Sequence, residues 1–389
     1  MRLRDMHVTV VGGGIAGLAT ATALARRGAR VELLERAAEL REVGAGLQIT
    51  PNGLAVLRAL GLEDGLEPAP RAAAVSLRDY RAGREVLRLD LAARGLSDGY
   101  RFVHRGDLVA LLGQAARAAG VTIRTGVLVD GVTPGEPPQI SVSVSDKASP
   151  TDLVIGADGL HSVVRPVLDG PRAPRFTGQV AWRAVVENVT DHPPEARVHM
   201  GPGRHVVSYP LRGGRFVNLV AVKEQRTWVA EGWQHEDDAH NLRHAFRRFG
   251  GDTARLLAAA ERPGLWGLFR HPVAAKWHGT GLALVGDAAH PTLPFLAQGA
   301  NMALEDAWVL ADALESEGSL AERLHAYQTR RHARTVRVVE TADGNAWKYH
   351  LRLPGLRLAA HAVLHLAGRL APGRVMSGFD WLYGHDVTS

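Results

Sequence analysis

HVTVVGGGIAGLATATALARRGARVELLER, residues His7 to Arg36, decides the fold class. His7 to Val11 is a short apolar, β-branched run, the pattern of a buried strand. Gly12-Gly13-Gly14-Ile15-Ala16-Gly17 interrupts it, and Leu18 to Arg27 is an Ala/Leu-rich helix that Gly28 stops. Arg30 to Arg36 then forms a second strand. The first turn of this βαβ unit carries G-x-G-x-x-G. Gly12 allows the tight turn, Gly14 lets the backbone approach a pyrophosphate, and Gly17 lets helix and strand pack closely. Ile15 and Ala16 belong to the same turn. Glu35 ends the second strand, about 20 residues on, where an acid accepts from adenosine ribose hydroxyls and disfavours a 2′-phosphate. Arg36 adjoins it. A bound dinucleotide fits, and this unit alone does not choose between FAD and NAD.

A second stretch, GLALVGDAAHPTLPFLAQGANMALEDA from Gly281 to Ala307, repeats the logic. An apolar strand ends at Gly286, a turn-rich piece follows, and a helix pattern starts near Ala300. Strand–loop–helix junctions are where α/β proteins place ligands. The helix N-terminus at Gly299, Ala300 and Asn301 suits an anion. Asp287, at the carboxyl end of the strand, can accept from a ribose or ribitol hydroxyl; a capped structural crossover is the plainer alternative. A third apolar strand, Thr151 to Ile155, ends in Gly156-Ala157-Asp158-Gly159, where Asp158 offers a second polar clamp. Gly44 and Gly46 suggest backbone close to a ligand, and Asn52 is placed to cap a helix running to Leu60. Arg105, just before a helix to Ala119, can pair with a phosphate or an acidic group, or simply lie on the surface.

From Gln179 to Val222 the pattern changes to short strands separated by Pro/Gly turns, which predicts an antiparallel sheet. Inserted between the helix-flanked strands, it marks a second, substrate-side domain. The expected division is a dinucleotide-binding domain from 1–175 and 270–340, a β-sheet domain at 176–269 and a helical segment at 341–389. His205 and Tyr209 are four apart and share one strand face, with Val207 between them. Such a pair can relay a phenol proton; an ordinary half-buried pair is the commoner explanation. Ser319 to Arg337 has the pattern of a charged helix. Leu351 to Leu370 has that of an amphipathic packing helix, with membrane-surface contact the second choice.

The 389 residues, 46% hydrophobic and 22% charged, suit a soluble globular chain with a large core. The absence of cysteine excludes disulfides, Cys-ligated zinc, iron–sulfur clusters and a cysteine nucleophile, and fits a cytoplasmic setting. No metal site is expected. The +6 charge comes from scattered arginines without interleaved aromatics, which argues against nucleic acid and mildly favours anionic ligands. No signal peptide is evident. No apolar run approaches the ~20 residues of a membrane span, so no transmembrane segment is expected.

Together, Gly12–Gly17 with Glu35, Arg105, GADGLHSVVR at Gly156–Arg165, and the Gly286–Asp306 segment resemble the class A flavoprotein aromatic monooxygenases of the para-hydroxybenzoate hydroxylase fold. The resemblance spans essentially the whole chain. Within that family, Pro294–Gly299, His205 with Tyr209-Pro210-Leu211-Arg212, and Asp380–Gly384 are similar to the salicylate hydroxylase and 3-hydroxybenzoate 6-hydroxylase subgroup. Gln48 stands where the related hydroxynicotinate enzymes carry a His, and Asn301 replaces a small residue.

The resemblance implies an α/β fold: a Rossmann-like FAD-binding domain interleaved with an antiparallel substrate domain and a C-terminal helical region. It implies FAD, with NADH or NADPH as transient co-substrate. It further implies hydroxylation of a phenolic aromatic acid by O₂ through a flavin C4a-hydroperoxide. Asp287 would hold the ribityl chain, and His205, Tyr209 and Gln298 would line the substrate ring. Pro294 would form part of the wall between flavin and substrate. An Arg nearby, with Arg183 and Arg212 the candidates, could hold a substrate carboxylate bidentately; whether one does is left open. A polycyclic or non-aromatic substrate on the same fold, a non-catalytic FAD-binding regulator, and a homodimer remain open.

Overall fold

The computed structural model describes residues 2–40, 45–143, 150–225, 227 and 236–389; Gly44 lies outside them. A six-stranded sheet runs in the order His278–Gly279, Leu282–Leu284, Leu153–Gly156, His7–Val11, Arg30–Glu35, Thr122–Thr125. Its pairs are parallel except at the His278–Gly279 edge. Parallel strands covered by helices are apolar on both faces, and Val8, Val10, Leu33, Leu153, Ile155, Ala283 and Leu284 are all buried.

Register places the site. Val11 pairs with Gly156 and Gly156 with Leu284, so three strands end in one row. The three turns singled out in the sequence therefore meet at one sheet edge. Gly12 shows how closely: at φ 108°, a Cβ on it would lie 2.4 Å from the Ala157 carbonyl oxygen. Helix Ile15–Arg26 follows the first turn and packs against helix Gly299–Glu315. The second turn does not open directly into a helix. Asp158 and Ser162 accept from the backbone N–H groups of Val163 and Arg165, giving a 3-10 turn at Gly159–His161 before a short helix, Arg165–Asp169.

The second sheet has seven strands in the order Gly264–Arg270, Arg175–Glu187, Phe216–Glu224, Arg204–Leu211, Glu195–Gly201, Ala74–Asp79, Glu85–Asp90. The last two come from residues ahead of 175 and attach through a parallel pairing of Glu195–Gly201 with Ala74–Asp79. Local periodicity shows that a strand exists, not which sheet it joins. One face of this sheet, with Trp182, Val206 and Leu219, packs on Leu242, Phe246 and Leu256 from the helical segment behind it. Pairing fixes the opposite face. His205 lies across from Val222 and Ala181, Val207 from Val220 and Arg183, and Tyr209 from Asn218 and Val185. Leu293 and Phe295 of the 286–299 turn pack onto this second face.

The charged helix extends further than its sequence pattern, over Leu320–Asn345. Helix Pro354–Leu370 rests on strand Glu85–Asp90, with Arg357 buried and Leu356, Val363, Leu366 and Leu370 exposed. Its packing side is thus not its most apolar side. Among the described residues, no helix is long and apolar enough to cross a membrane.

A buried ionic cluster holds these pieces together. Asp306 accepts from the Gly286 N–H at 2.9 Å and from Arg331 Nε at 2.8 Å, and its other contact is His290. Glu305 meets Arg331 and is gripped by Arg334 at 2.8 and 2.9 Å. Asn52 donates to Glu305 at 2.6 Å, and Arg334 also donates to the carbonyls of Trp381 and Leu382. Burial by itself would raise both carboxyls; the cationic partners outweigh it and bring Glu305 and Asp306 to about 2.

Folded values below the unfolded range stabilise the fold above about pH 4, and that contribution is lost as pH falls towards about 2. Acid titration followed by circular dichroism should show this loss. Arg331→Met, which removes the cation shared by both buried carboxylates, should lower unfolding free energy by ~3–5 kcal/mol in urea at neutral pH.

Candidate active site

At the sheet edge, Glu35 turns back towards the glycine turn. Its carboxylate accepts from Gly13 N at 2.6 Å and Ala37 N at 2.7 Å. Beside it is a groove of about 70 Å³ lined by Gly13, Gly14, Glu35 and Leu40. Arg36, next in the chain, is exposed. Ile15 and Gly17 are buried in the first helical turn, Ala16 half-buried. A Cβ on Gly17 would sit 1.9 Å from the Gly12 carbonyl oxygen, so no other residue permits this strand–helix approach.

The two acids predicted to clamp a ligand flank the neighbouring turns. Asp158 binds Val163 N through one oxygen at 2.7 Å. Its other oxygen is buried with no hydrogen-bond partner among the described residues. Burial raises the Asp158 carboxyl, opposed by hydrogen bonds from its own turn. Burial likewise raises Asp287, opposed by His290, Arg105 and His271. Arg105 begins helix Arg105–Ala118 and faces Asp287 closely enough for their charges to interact, although burial lowers its own pKa. It belongs to the site rather than to the open surface. A glycine cradle for phosphates, a ribose acid and an orphaned buried carboxylate oxygen together fit FAD.

The other wall is the second sheet. Arg183 lies 4.6 Å over the Trp266 ring, and burial lowers its guanidinium to about 10, with Tyr209 drawing it upward. Tyr209 is buried and stacks on Phe102 at 5.2 Å. Burial raises its phenol strongly, with Arg183 and Asn218 opposing. Strand Gly46–Ile49 closes this corner: Gly46 N donates to Asn218 Oδ1 at 2.7 Å. A Cβ on Gly46 would lie 2.6 Å from the Tyr209 ring, which gives this glycine its reason. Gln48 accepts from Tyr100 OH at 2.5 Å.

His205 is buried, its ring against Phe295, Tyr349 and His350. Burial and His350 hold its pKa well below the ordinary histidine value, so the imidazole is neutral. His205 and Tyr209 share a wall without bonding each other; the nitrogen partner of His205 is His350, at 2.7 Å.

Two residues take architectural places. Gln298 is buried, donating to Thr50 at 3.0 Å and accepting from Asn52 at 3.1 Å. Its amide is engaged by these groups beneath the helix start. Asn301 accepts from Thr50 N at 3.0 Å and donates to the Gln48 and Ala297 carbonyls at 3.0 and 2.8 Å. The side chain that replaces a small residue is thus a clamp joining helix Gly299–Glu315 to strand Gly46–Ile49. Pro294, Gly299 and Ala300 are half-buried along the turn facing the sheet. Arg212 points elsewhere, paired with Asp107 at 2.7 and 3.0 Å on the surface. Sequence inspection missed Phe102, Asn218, Tyr349 and His350. Only Asn218, a lone amide inside the apolar strand FVNLVAVKE, carried a signal.

Asp287→Ala should weaken FAD binding by ~10–100-fold, the scale of a hydrogen bond to a charged group. Flavin absorbance per protein after gel filtration measures it, and a fully loaded variant would remove Asp287 from the binding site.

The FAD binding domain family model matches residues 5–342. The chain is 36% identical over 360 residues to a 3-amino-4-hydroxybenzoate 2-monooxygenase of Streptomyces cremeus, covering 90% of this chain and 89% of the relative. It is 35% identical to a 3-hydroxybenzoate 6-hydroxylase of Klebsiella oxytoca, covering 97% and 96%. To the salicylate hydroxylase of Pseudomonas putida it is 31% identical, covering 98% and 93%. Among solved structures, a salicylate hydroxylase substrate complex superposes with TM-score 0.81 at 25% identity, covering 98% of this chain and 96% of that one. Klebsiella pneumoniae R204Q HpxO with FAD superposes at 0.83 and 25% identity, covering 96% and 97%. Motifs, sheet-edge geometry and full-length similarity agree: the chain belongs to the FAD-binding-domain family, among the class A flavoprotein monooxygenases that hydroxylate aromatic rings.

Proposed function

We propose that this protein hydroxylates a phenolic aromatic acid of the hydroxybenzoate or salicylate type, using O₂ and a nicotinamide reductant. One observation carries the proposal: Arg183, Tyr209 and His205 occupy a single face of the second sheet, the face on which Leu293 and Phe295 of the 286–299 turn pack. The domain that takes the substrate in this proposal is 176–269 together with the strands at 74–79 and 85–90. Bound FAD, once reduced, supplies activation of O₂ and delivery of one oxygen atom to the ring.

The residues do the rest. Arg183 is a cation held 4.6 Å over the Trp266 ring, suited to a carboxylate in a partly dry pocket. Neutral His205 can accept the phenolic proton, which makes the ring electron-rich at the position attacked. Tyr209, its phenol pKa raised by burial, stays protonated and serves as a hydrogen-bond donor. The apolar cover of Leu293, Phe295 and Val207 limits water around the reacting atoms. The N-terminus of helix Gly299–Glu315 presents backbone N–H groups to developing negative charge. A nicotinamide has no second G-x-G-x-x-G unit here and must bind transiently.

A panel of hydroxybenzoates should reveal acids that stimulate NADH or NADPH oxidation with matching hydroxylated product. His205→Asn should cut the hydroxylation rate ~10²–10⁴-fold, and an unchanged, fully coupled variant would overturn its role. Arg183→Met should raise KM about 10–100-fold for a carboxylated phenol while sparing the phenol without the carboxylate. Purified protein that never carries flavin absorbance would overturn the enzyme assignment itself.

A further inference from the structure

His205 is the end of a polar path, not an isolated base. Its Nδ1 lies 2.7 Å from His350 Nε2, and His350 Nδ1 lies 3.1 Å from Glu224 Oε1. Exposure rises along the path: His205 and His350 side chains are buried, Glu224 is 30% exposed and its partner Arg352 is 69% exposed. Backbone bonds tie the three segments together. Gly203 N donates to the His350 carbonyl at 3.1 Å, and the Gly203 carbonyl accepts from Glu224 N at 2.9 Å.

We propose that Glu224 and His350 form a proton relay that orients His205 towards the substrate hydroxyl and connects it to solvent. The relay rests on the hydroxylase function proposed above. Neither residue reaches the substrate; both act through His205.

The hydrogen-bond roles follow from the end of the chain. Glu224, paired with Arg352, is an acceptor only. His350 must then carry its proton on Nδ1, which leaves Nε2 as an acceptor. His205 must carry its proton on Nδ1 to donate there, which leaves its Nε2 lone pair for the phenol.

Proton transfer balances without an added reagent. The phenolic proton moves to His205 Nε2, the His205 Nδ1 proton to His350 Nε2, the His350 Nδ1 proton to Glu224, and Glu224 releases it to water. The reverse sequence returns a proton to the product and restores both tautomers. A buried His205 disfavours a standing imidazolium, so passing the proton onward suits it better than holding it. The charged groups facing the path are Glu224 on its strand, Arg352 on the C-terminal segment and Arg204 beside His205. Tyr349 and Phe295 supply the apolar sides.

The test uses the full-length flavoprotein and two measurements. In ¹⁵N-histidine NMR without substrate, His205 should be the neutral Nδ1–H tautomer, and Glu224→Gln or His350→Asn should shift it towards Nε2–H. In pH-jump absorbance of a bound hydroxybenzoate on oxidised enzyme, both variants should slow phenol ionisation by ~10-fold or more. The slowing should vanish at alkaline pH, where the phenol ionises in solution, and substrate affinity should change by less than about 2-fold. A His205 tautomer indifferent to Glu224→Gln overturns the relay while leaving the hydroxylase function standing. A slowing that persists at alkaline pH also overturns it, since damage to the pocket would do that. If wild-type protein binds no phenol in the panel, the hydroxylase function falls, and the relay with it.

Discussion

The constraint on which the rest depends is the pairing of Glu305 and Asp306 with Arg331 and Arg334 beneath the start of helix Gly299–Glu315. Four ionised groups inside a protein are unfavourable unless each is matched. Here matching recruits the chain from several directions: Gly286 from the third strand turn, Asn52 from the helix after Thr50, and the carbonyls of Trp381 and Leu382 from the tail. The cluster is therefore a junction. It fixes the turn and helix N-terminus that face the second sheet.

The reaction space is bounded by two kinds of sheet with different tasks. The parallel sheet offers a row of turns, whose backbone N–H groups and two half-buried carboxylates, Asp158 and Asp287, suit a dinucleotide. The larger sheet offers a flat face on which pairing dictates which side chains stand together. Arg183, Tyr209 and His205 come from two strands separated by another, and their alignment follows from the registers of Phe216–Glu224 with both neighbours. Strand Gly46–Ile49 links the two parts. It bonds Asn218 of one and Asn301 of the other, which explains a glycine at 46 and an asparagine at 301 in one stroke of geometry.

Much of this was legible in the sequence where function depends on local chemistry. Gly12–Gly17 with Glu35 specify a phosphate turn and its acid because each need is met within one βαβ unit. Asp158 and Asp287 were legible as strand-end acids for the same reason. His205 and Tyr209 were legible as a pair because a strand alternates. Gln298 and Asn301 were not legible in their observed places. Both are polar residues at a helix start, and only distant partners, Thr50 and Asn52 for one and Gly46–Ile49 for the other, turn them into clamps. His350 had no local signal, because a histidine in a short irregular segment acquires meaning only from what it is folded against.

By itself, then, the sequence determined the elements, the three glycine-rich turns and the chemical kind of ligand they suit, since these follow from periodicity, backbone freedom and charge over a few residues. Only the tertiary structure decided that the strands at 74–79 and 85–90 join the second sheet, that Arg183 rather than Arg212 lines the chamber, and that His205 leads through His350 to Glu224. The physical reason is range. A hydrogen bond between residues 145 positions apart, as between His205 and His350, leaves no imprint on the pattern around either, and exists only once packing has brought both strands and tail to the same wall.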